Sequence, residues 1–258
     1  MKKIVVTGSN GFIGKNLIEK LSQLKDYKIV PFDIDTKLPL GEVFDNAEFI
    51  YHLAGENRPK NIDDYKKVNV GLTQKIVDVL DNMNQQPTFL FTSSIQAELD
   101  NPYGLSKREA EEVLIQYNKR KKATVYIYRL PGVFGKWSRP NYNTVVATFC
   151  FNIARGLDIK ISDPNHVLEL VYIDDVVSSF IDKLITEGNF SFNRCTANPV
   201  YKITLKDLAE TIYEFKRKGK FLKLDDIPEG IKKCLYITYQ SFLPGKDSND
   251  GLDPRSKR

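Results

Sequence analysis

A glycine-rich turn, Gly8-Ser9-Asn10-Gly11-Phe12-Ile13-Gly14, stands directly after the β-branched run Lys3-Ile4-Val5-Val6-Thr7 and directly before a helical pattern. A strand must stop there, the backbone must turn sharply, and a helix must begin with its free N–H groups beside the strand end. Gly8 permits the tight turn, Gly11 lets a pyrophosphate approach the backbone, and Gly14 lets helix and sheet pack closely. The positive dipole end of the helix suits phosphate. Thr7, Asn10, Phe12 and Ile13 share this turn and join the three glycines as candidate dinucleotide contacts. Three glycines alone are a weak signal; their place between a first strand and a first helix strengthens it.

The rest of the chain continues the alternation that such a turn requires. Strands are expected at Lys28 to Phe32, Glu48 to His52, Thr88 to Thr92 and Val125 to Arg129, and helices at Phe12 to Leu24, Tyr65 to Met83 and Pro102 to Lys119. This order predicts an α/β fold, a Rossmann-like doubly wound parallel sheet, which binds ligands at the carboxyl ends of its strands. Beyond the turn-rich segment Leu130 to Asn143 the elements become shorter, with helices expected at Asp174 to Thr186, Thr204 to Lys216 and Pro228 to Phe242. The reading assigns residues 1–158 mainly to an NAD(P)-binding domain, 159–244 to a smaller substrate lobe, and 245–258 to a polar, disordered tail. Asp33 ends the second strand near the offset at which an acid holds adenosine ribose hydroxyls. Its carboxylate would repel a 2′-phosphate, which favours NAD(H), and Lys37 nearby softens that preference. A helix cap or a surface role is the alternative for Asp33.

Composition excludes several classes. The 258 residues are 41% hydrophobic and 28% charged, as expected of a soluble enzyme. The net charge of +5 comes largely from Lys119-Arg120-Lys121-Lys122 and Lys216-Arg217-Lys218-Gly219-Lys220, which read as solvated helix ends rather than a nucleic-acid patch. No stretch approaches a membrane span and the N-terminus lacks a signal-peptide layout, so a cytoplasmic location is expected. Cys150, Cys195 and Cys234 are widely spaced and read as reduced core residues; no metal site is expected.

The chemistry is expected from one short segment. Tyr103 stands nine positions after Ser94, and Lys107 four further on. On a helix, Tyr103 and Lys107 share a face one turn apart. An ammonium beside the phenol would let it titrate below about 10 and exchange protons near neutral pH. Ser94, past the apolar run Phe89-Leu90-Phe91, would bond the same substrate oxygen from the strand end. Ser93 is adjacent and could take its place.

With the glycine turn, Asp33, His52-Leu53-Ala54-Gly55, Asn69, Ser94, Tyr103 and Lys107 read in order, the chain resembles the extended short-chain dehydrogenase/reductases, the NAD-dependent epimerase/dehydratase family. Most of these act on nucleotide-activated sugars. The resemblance implies that Leu53, Ala54, Gly55 and Pro131 line the cofactor with Tyr103 and Lys107, that Asn69 braces the adjacent loop, and that His52 is structural. Four further segments, around Asn57-Arg58-Pro59, Ser93 to Gly104, Tyr126 to Trp137, and Arg139 to Cys150, look like the reductase domain of capsular-polysaccharide enzymes of the CapF and WbjC type. That similarity implies reduction, by NADPH or NADH, of the 4-keto group of a UDP-2-acetamido-2,6-dideoxy-hexos-4-ulose, on the way to UDP-N-acetyl-L-fucosamine. Arg58, Trp137, Arg139 and Asn143 are the candidate sugar or pyrophosphate contacts, with Ser94 and Tyr103.

Members of that group carry a C-terminal zinc-binding cupin that epimerises the sugar, and the sequence stops where it would begin. The expectation is that epimerisation is absent or supplied by a separate cupin chain; a homodimer is a second candidate assembly. The group uses NADPH, whereas Asp33 suits NADH, so either cofactor stays open. Two other readings compete. An epimerase or dehydratase shares the fold, but Ile95 and Gln96 stand where dehydratases place an acidic pair. A non-catalytic nucleotide-binding protein would have little use for Tyr103 and Lys107.

Overall fold

The computed structural model describes residues 1–142, 144–186 and 191–245, so the expected tail lies, after its first residue, outside the described residues. Contacts divide the chain into two units, residues 1–130 with 177–197, and residues 131–176 with 198–258.

In the first unit the elements run β1 (Lys2–Thr7), α1 (Phe12–Leu21), β2 (Tyr27–Phe32), α2 (Leu40–Phe44), β3 (Phe49–His52) and α3 (Asp63–Tyr65). A π-helical turn (Lys66–Val70) leads into α4 (Gly71–Asn82), then come β4 (Thr88–Ser94), a 3-10 turn (Ile95–Glu98), α5 (Pro102–Lys121) and β5 (Val125–Leu130). The chain then builds β6 (Gly132–Phe134), α6 (Val145–Arg155), β7 (Val167–Tyr172) and α7 (Ile173–Ile185), which crosses the division. It returns to the first unit for β8 (Phe192–Cys195) and ends with β9 (Val200–Thr204), α8 (Leu205–Lys218) and α9 (Ile231–Ser241).

Six parallel strands form the main sheet in the order β2-β1-β3-β4-β5-β8. Because β2 lies on one side of β1 and β3 on the other, the winding reverses between β1 and β3, and a crevice opens at their carboxyl ends. The Rossmann-like, doubly wound sheet expected from the alternation is the fold observed. In the second unit, β6 and β7 pair parallel and β7 and β9 antiparallel.

Period-2 burial explains how the sheet is covered. Val5, Ile50, Phe89, Phe91, Val125 and Ile127 face one way and pack with Ile76, Val77 and Leu80 of α4 and Ala110, Leu114 and Tyr117 of α5. On intervening positions, Tyr51 and Tyr128 set their rings 6.2 and 4.8 Å from that of Phe180 on α7. Their phenols donate to the Phe180 and Ser179 carbonyls. Each such ring contributes about 1.5–3 kcal/mol by burial, which fixes the inner strands whose ends carry the candidate site.

The long helix α5 begins and ends on local signals. Asn101 caps it by accepting from the Gly104 N–H at 2.8 Å, Pro102 occupies its first turn, and Lys122 closes it in the left-handed conformation. The two basic runs fall at the carboxyl ends of α5 and α8, where cations complement the helix dipole, and Arg120 also pairs with Asp81.

Three expectations need adjustment. The helix expected unbroken from Tyr65 to Met83 starts at Asp63 and contains the π turn at Lys66–Val70. The domain boundary expected at residue 158 differs from the division by contacts, because the chain leaves the sheet after Leu130 and β8 later returns to pair with β5. Of the cysteines, only Cys150 is buried, while Cys195 and Cys234 are partly exposed. Among the described residues no helix is long and apolar enough to cross a membrane.

Candidate active site

The glycine turn occupies the crevice beyond β1, and its geometry explains each glycine. Gly8 takes φ +68°, and a Cβ there would lie 2.7 Å from the Ala54 nitrogen, so the segment leaving β3 runs directly against it. A Cβ on Gly14 would meet the Gly8 carbonyl oxygen at 2.2 Å; this glycine admits the turn's own backbone onto the first helical turn. Gly11 is the amino-terminal cap of α1 and is exposed, and no side-chain cap bond closes the helix start. Phe12 and Ile13 open that helix and are half-buried. Asp33, at the end of β2, accepts from the Asn10 backbone N–H and from the Ile34 N–H, each at 2.8 Å. The acid is thereby tied to the glycine turn.

Across the crevice, Leu53 and Ala54 continue from β3, with the Leu53 N–H on the Thr7 carbonyl at 3.2 Å. A Cβ on Gly55 would lie 2.9 Å from Lys107 Nζ and 3.0 Å from Asn69 Oδ1, so the missing side chain lets the ammonium and the Asn69 amide pack directly against the Gly55 backbone. Asn69 sits in the π turn. Its amide accepts from the Glu56 N–H at 2.8 Å and donates to the Glu56 carbonyl at 3.0 Å and to Ser106 Oγ at 2.9 Å. Glu56 in turn accepts from the N–H groups of Asn57 and exposed Arg58. A π turn often marks a functional position in a helix.

Ser94, Tyr103 and Lys107 meet where β4, the 3-10 turn and α5 converge. Ser94 Oγ accepts from the Gln96 N–H at 3.2 Å, and its hydroxyl acts on the Tyr103 phenol to lower its pKa. Lys107 is buried, donates to the Thr92 carbonyl at 3.0 Å and lies 4.9 Å from the Phe91 ring centre. Burial lowers its pKa from 10.5 to about 8, against the attraction of Glu111 one turn further along α5.

The expected acidification of Tyr103 is not what the geometry gives. Burial pushes the phenol up to about 12, against the hydrogen bond from Ser94 and with Tyr65 adding to the rise. Lys107 is bonded instead to the Thr92 carbonyl. The choice between neighbouring serines is also decided by partners, since Ser93 Oγ donates to the buried Glu111 carboxylate at 2.5 Å. Ser94 is the one at the phenol.

Sequence reasoning missed several of these groups. Tyr65 lays its ring 5.7 Å from that of Tyr103 and its hydroxyl on the Asn57 carbonyl, and no local pattern announces it. Glu111 is fixed by Arg129, which places two nitrogens on its oxygens at 2.9 and 2.6 Å; its spacing of four from Lys107 was a usable signal. The remaining candidates belong to the second unit. Pro131 is its first residue, Trp137 has φ +67° with Lys136 Nζ 4.5 Å from its ring, and exposed Arg139 lies 5.7 Å from the Tyr142 ring. Asn143 lies outside the described residues.

Lys107 also carries a pH signature. Between about 8 and 10.5 the unfolded chain keeps a proton on this lysine that the folded chain has released, so folding gains stability as pH rises through that window. Below about 8 the buried ammonium is a standing cost. Urea unfolding of native protein and of Lys107→Met should therefore show native stability rising relative to the variant from pH 8 toward 10.5; a constant difference would contradict the burial argument.

A doubly wound sheet with a glycine turn at its switch point, an acid at the next strand end, and a Ser-Tyr-Lys cluster on β4 and α5 defines a short-chain dehydrogenase/reductase of the extended type. The chain belongs to the NAD dependent epimerase/dehydratase family, whose profile matches residues 4–189. It is 44% identical over 245 residues to the UDP-2-acetamido-2,6-beta-L-arabino-hexul-4-ose reductase of Pseudomonas aeruginosa, covering 94% of this chain and 65% of that protein. It is similar to the crystal structure of the capsular polysaccharide assembling protein CapF from Staphylococcus aureus, with TM-score 0.81, 40% identity, and 95% and 66% of the two chains covered. The UDP-glucuronic acid 4-epimerase of Bacillus cereus, at 17% identity and TM-score 0.81 over 93% of this chain and 98% of that one, shares the fold. The chain thus spans just under two thirds of the length of the first two relatives.

Proposed function

We propose that this chain reduces the 4-keto group of a UDP-2-acetamido-2,6-dideoxy-hexos-4-ulose with NADH or NADPH, a step in surface-polysaccharide synthesis of the UDP-N-acetyl-L-fucosamine type. The similarity to a UDP-sugar 4-keto reductase and to CapF supports the substrate class. The observation that carries the reading is the convergence of three groups in one place: Ser94 at the end of β4, Tyr103 one turn along α5 from the buried Lys107, and the Lys107 ammonium packed against Gly55.

The residues present fit a dinucleotide. The turn at Gly8, Gly11 and Gly14 leaves backbone where side chains would intrude, and the free start of α1 offers N–H groups to a pyrophosphate. Asp33 would take ribose hydroxyls, and its charge favours NADH. Bound in this crevice, the reduced nicotinamide supplies hydride for carbon 4.

The chain's own groups handle the oxygen. A phenol held up to about 12 stays protonated at neutral pH, the form needed to donate. Tyr103 gives its proton to the oxygen at carbon 4 as negative charge grows there, and Ser94 bonds the same oxygen. Lys107, as a cation, stabilises the phenolate left behind. Arg58, Trp137, Arg139 and Asn143 are the proposed sugar and phosphate contacts, Arg being suited to bidentate oxygen recognition.

The test is to supply the products of an upstream 4,6-dehydratase with NADH or NADPH and identify the sugar formed. One reduced nicotinamide should be consumed per 4-keto sugar, faster with NADH. Isomerisation of the sugar without net consumption would replace this reading with an epimerase.

A further inference from the structure

Four buried polar residues beneath the glycine turn take no part in the chemistry above. The Ala54 N–H donates to Thr7 Oγ1 at 3.2 Å, and Thr7 Oγ1 lies 2.7 Å from His52 Nδ1. His52 Nε2 lies 2.8 Å from Thr73 Oγ1, which donates to the Asn69 carbonyl at 2.7 Å. Thr7, His52, Asn69 and Thr73 are all buried.

The direction of the bonds follows from counting protons. Thr73 has one hydroxyl proton and gives it to Asn69, so the contact with His52 must bring a proton from Nε2. Nδ1 of the neutral ring then accepts, and the donor is the Thr7 hydroxyl, whose oxygen meanwhile accepts from Ala54. An imidazolium would set its Nδ1–H against the Thr7 hydroxyl proton and break that bond. It would also stand near Lys107, the charged group acting on His52 from α5, while Phe89 and Phe91 pack around the ring at 5.7 and 5.4 Å.

We propose that His52 is a positioning residue. As the neutral Nε2–H tautomer it ties the Leu53–Gly55 wall of the nucleotide crevice to Asn69. Asn69 holds Glu56 and Ser106, and its Oδ1 packs with Lys107 Nζ against Gly55. The hydrogen-bonded chain therefore sets the separation between the backbone wall of the crevice and the seat of Lys107. Only the kinetic part of the test rests on the reductase reading.

The chain contains two histidines, His52 and His166, which makes a 15N-histidine spectrum simple to assign with His52→Gln. The His52 signals should show a protonated Nε2 and an unprotonated Nδ1, unchanged down to about pH 5, well below the ordinary histidine midpoint. Binding of NADH should weaken about tenfold in His52→Leu and in Thr73→Val, the loss expected for one buried hydrogen bond. His52→Gln keeps a donor and an acceptor and should restore most of that affinity. Turnover should follow the same order. A protonated Nδ1, titration near neutral pH, or native NADH affinity in both His52→Leu and Thr73→Val would overturn the proposal. Native protein that binds NADH without reducing the keto-sugar would sink the reductase reading alone; the tautomer measurement requires neither substrate nor cofactor.

Discussion

Replacing Tyr103 by Phe should lower turnover about a hundred- to ten-thousand-fold, the range attributed to a positioned proton donor. The ring remains beside Tyr65, and Lys107 remains on the Thr92 carbonyl, so the walls of the crevice are undisturbed. Affinity for the nicotinamide cofactor should stay within about threefold of native, since only one hydroxyl is lost. Stopped-flow turnover and fluorescence titration, run on the same preparation, separate the two effects. Full activity in the variant would remove Tyr103 from the reaction. Loss of cofactor binding in proportion to turnover would instead make it a packing residue.

The largest stability effect is expected one turn along α5. The Glu111 side chain is 2% exposed and accepts from Ser93 and twice from Arg129. Arg129→Met leaves that carboxylate buried without its cation, a change that costs about 3–5 kcal/mol. Ser93 keeps one bond and protonation relieves part of the charge, so about 3 kcal/mol is expected. In urea the midpoint should fall with an unchanged slope. Adding Glu111→Leu should recover much of the loss, because the unpaired charge goes with it. A single variant as stable as the native protein would show that the pair contributes little. Ser94 activity is a useful companion measurement: Ser93 and Ser94 share the end of β4, and Glu111 holds only the first.

How far the sequence was legible depended on the range over which each signal acts. The βα alternation and the glycine turn are local, and they located the sheet, the crevice and Asp33. The spacing of Ser94, Tyr103 and Lys107 is also short-range, and these residues converge. Three things were illegible because their causes cross the fold. Whether Ser93 or Ser94 is free depends on Glu111 and Arg129, which come from α5 and β5. The pKa of Tyr103 depends on burial, while the lysine that looked adjacent along the helix is bonded to β4 instead. The return of β8 to the main sheet depends on pairing with β5 across some sixty intervening residues, and the short run Phe192–Cys195 carries nothing that distinguishes it from a strand of the other sheet. Tyr65 and the π turn at Asn69 likewise had no local mark.

That late return has a consequence for how the chain assembles itself. During synthesis β5 is complete long before Phe192–Cys195 exists, so until then the six-residue β5 is itself the edge strand, a place the shorter β8 takes in the finished sheet. Bare edges recruit strands from other chains, and contacts that span a long loop form slowly. The nascent protein therefore passes through a stage in which most of the candidate site is in place while its sheet still ends on the longer strand β5. A fragment ended at residue 158 would remain at that stage, adhesive along β5, whatever the merits of its nucleotide crevice.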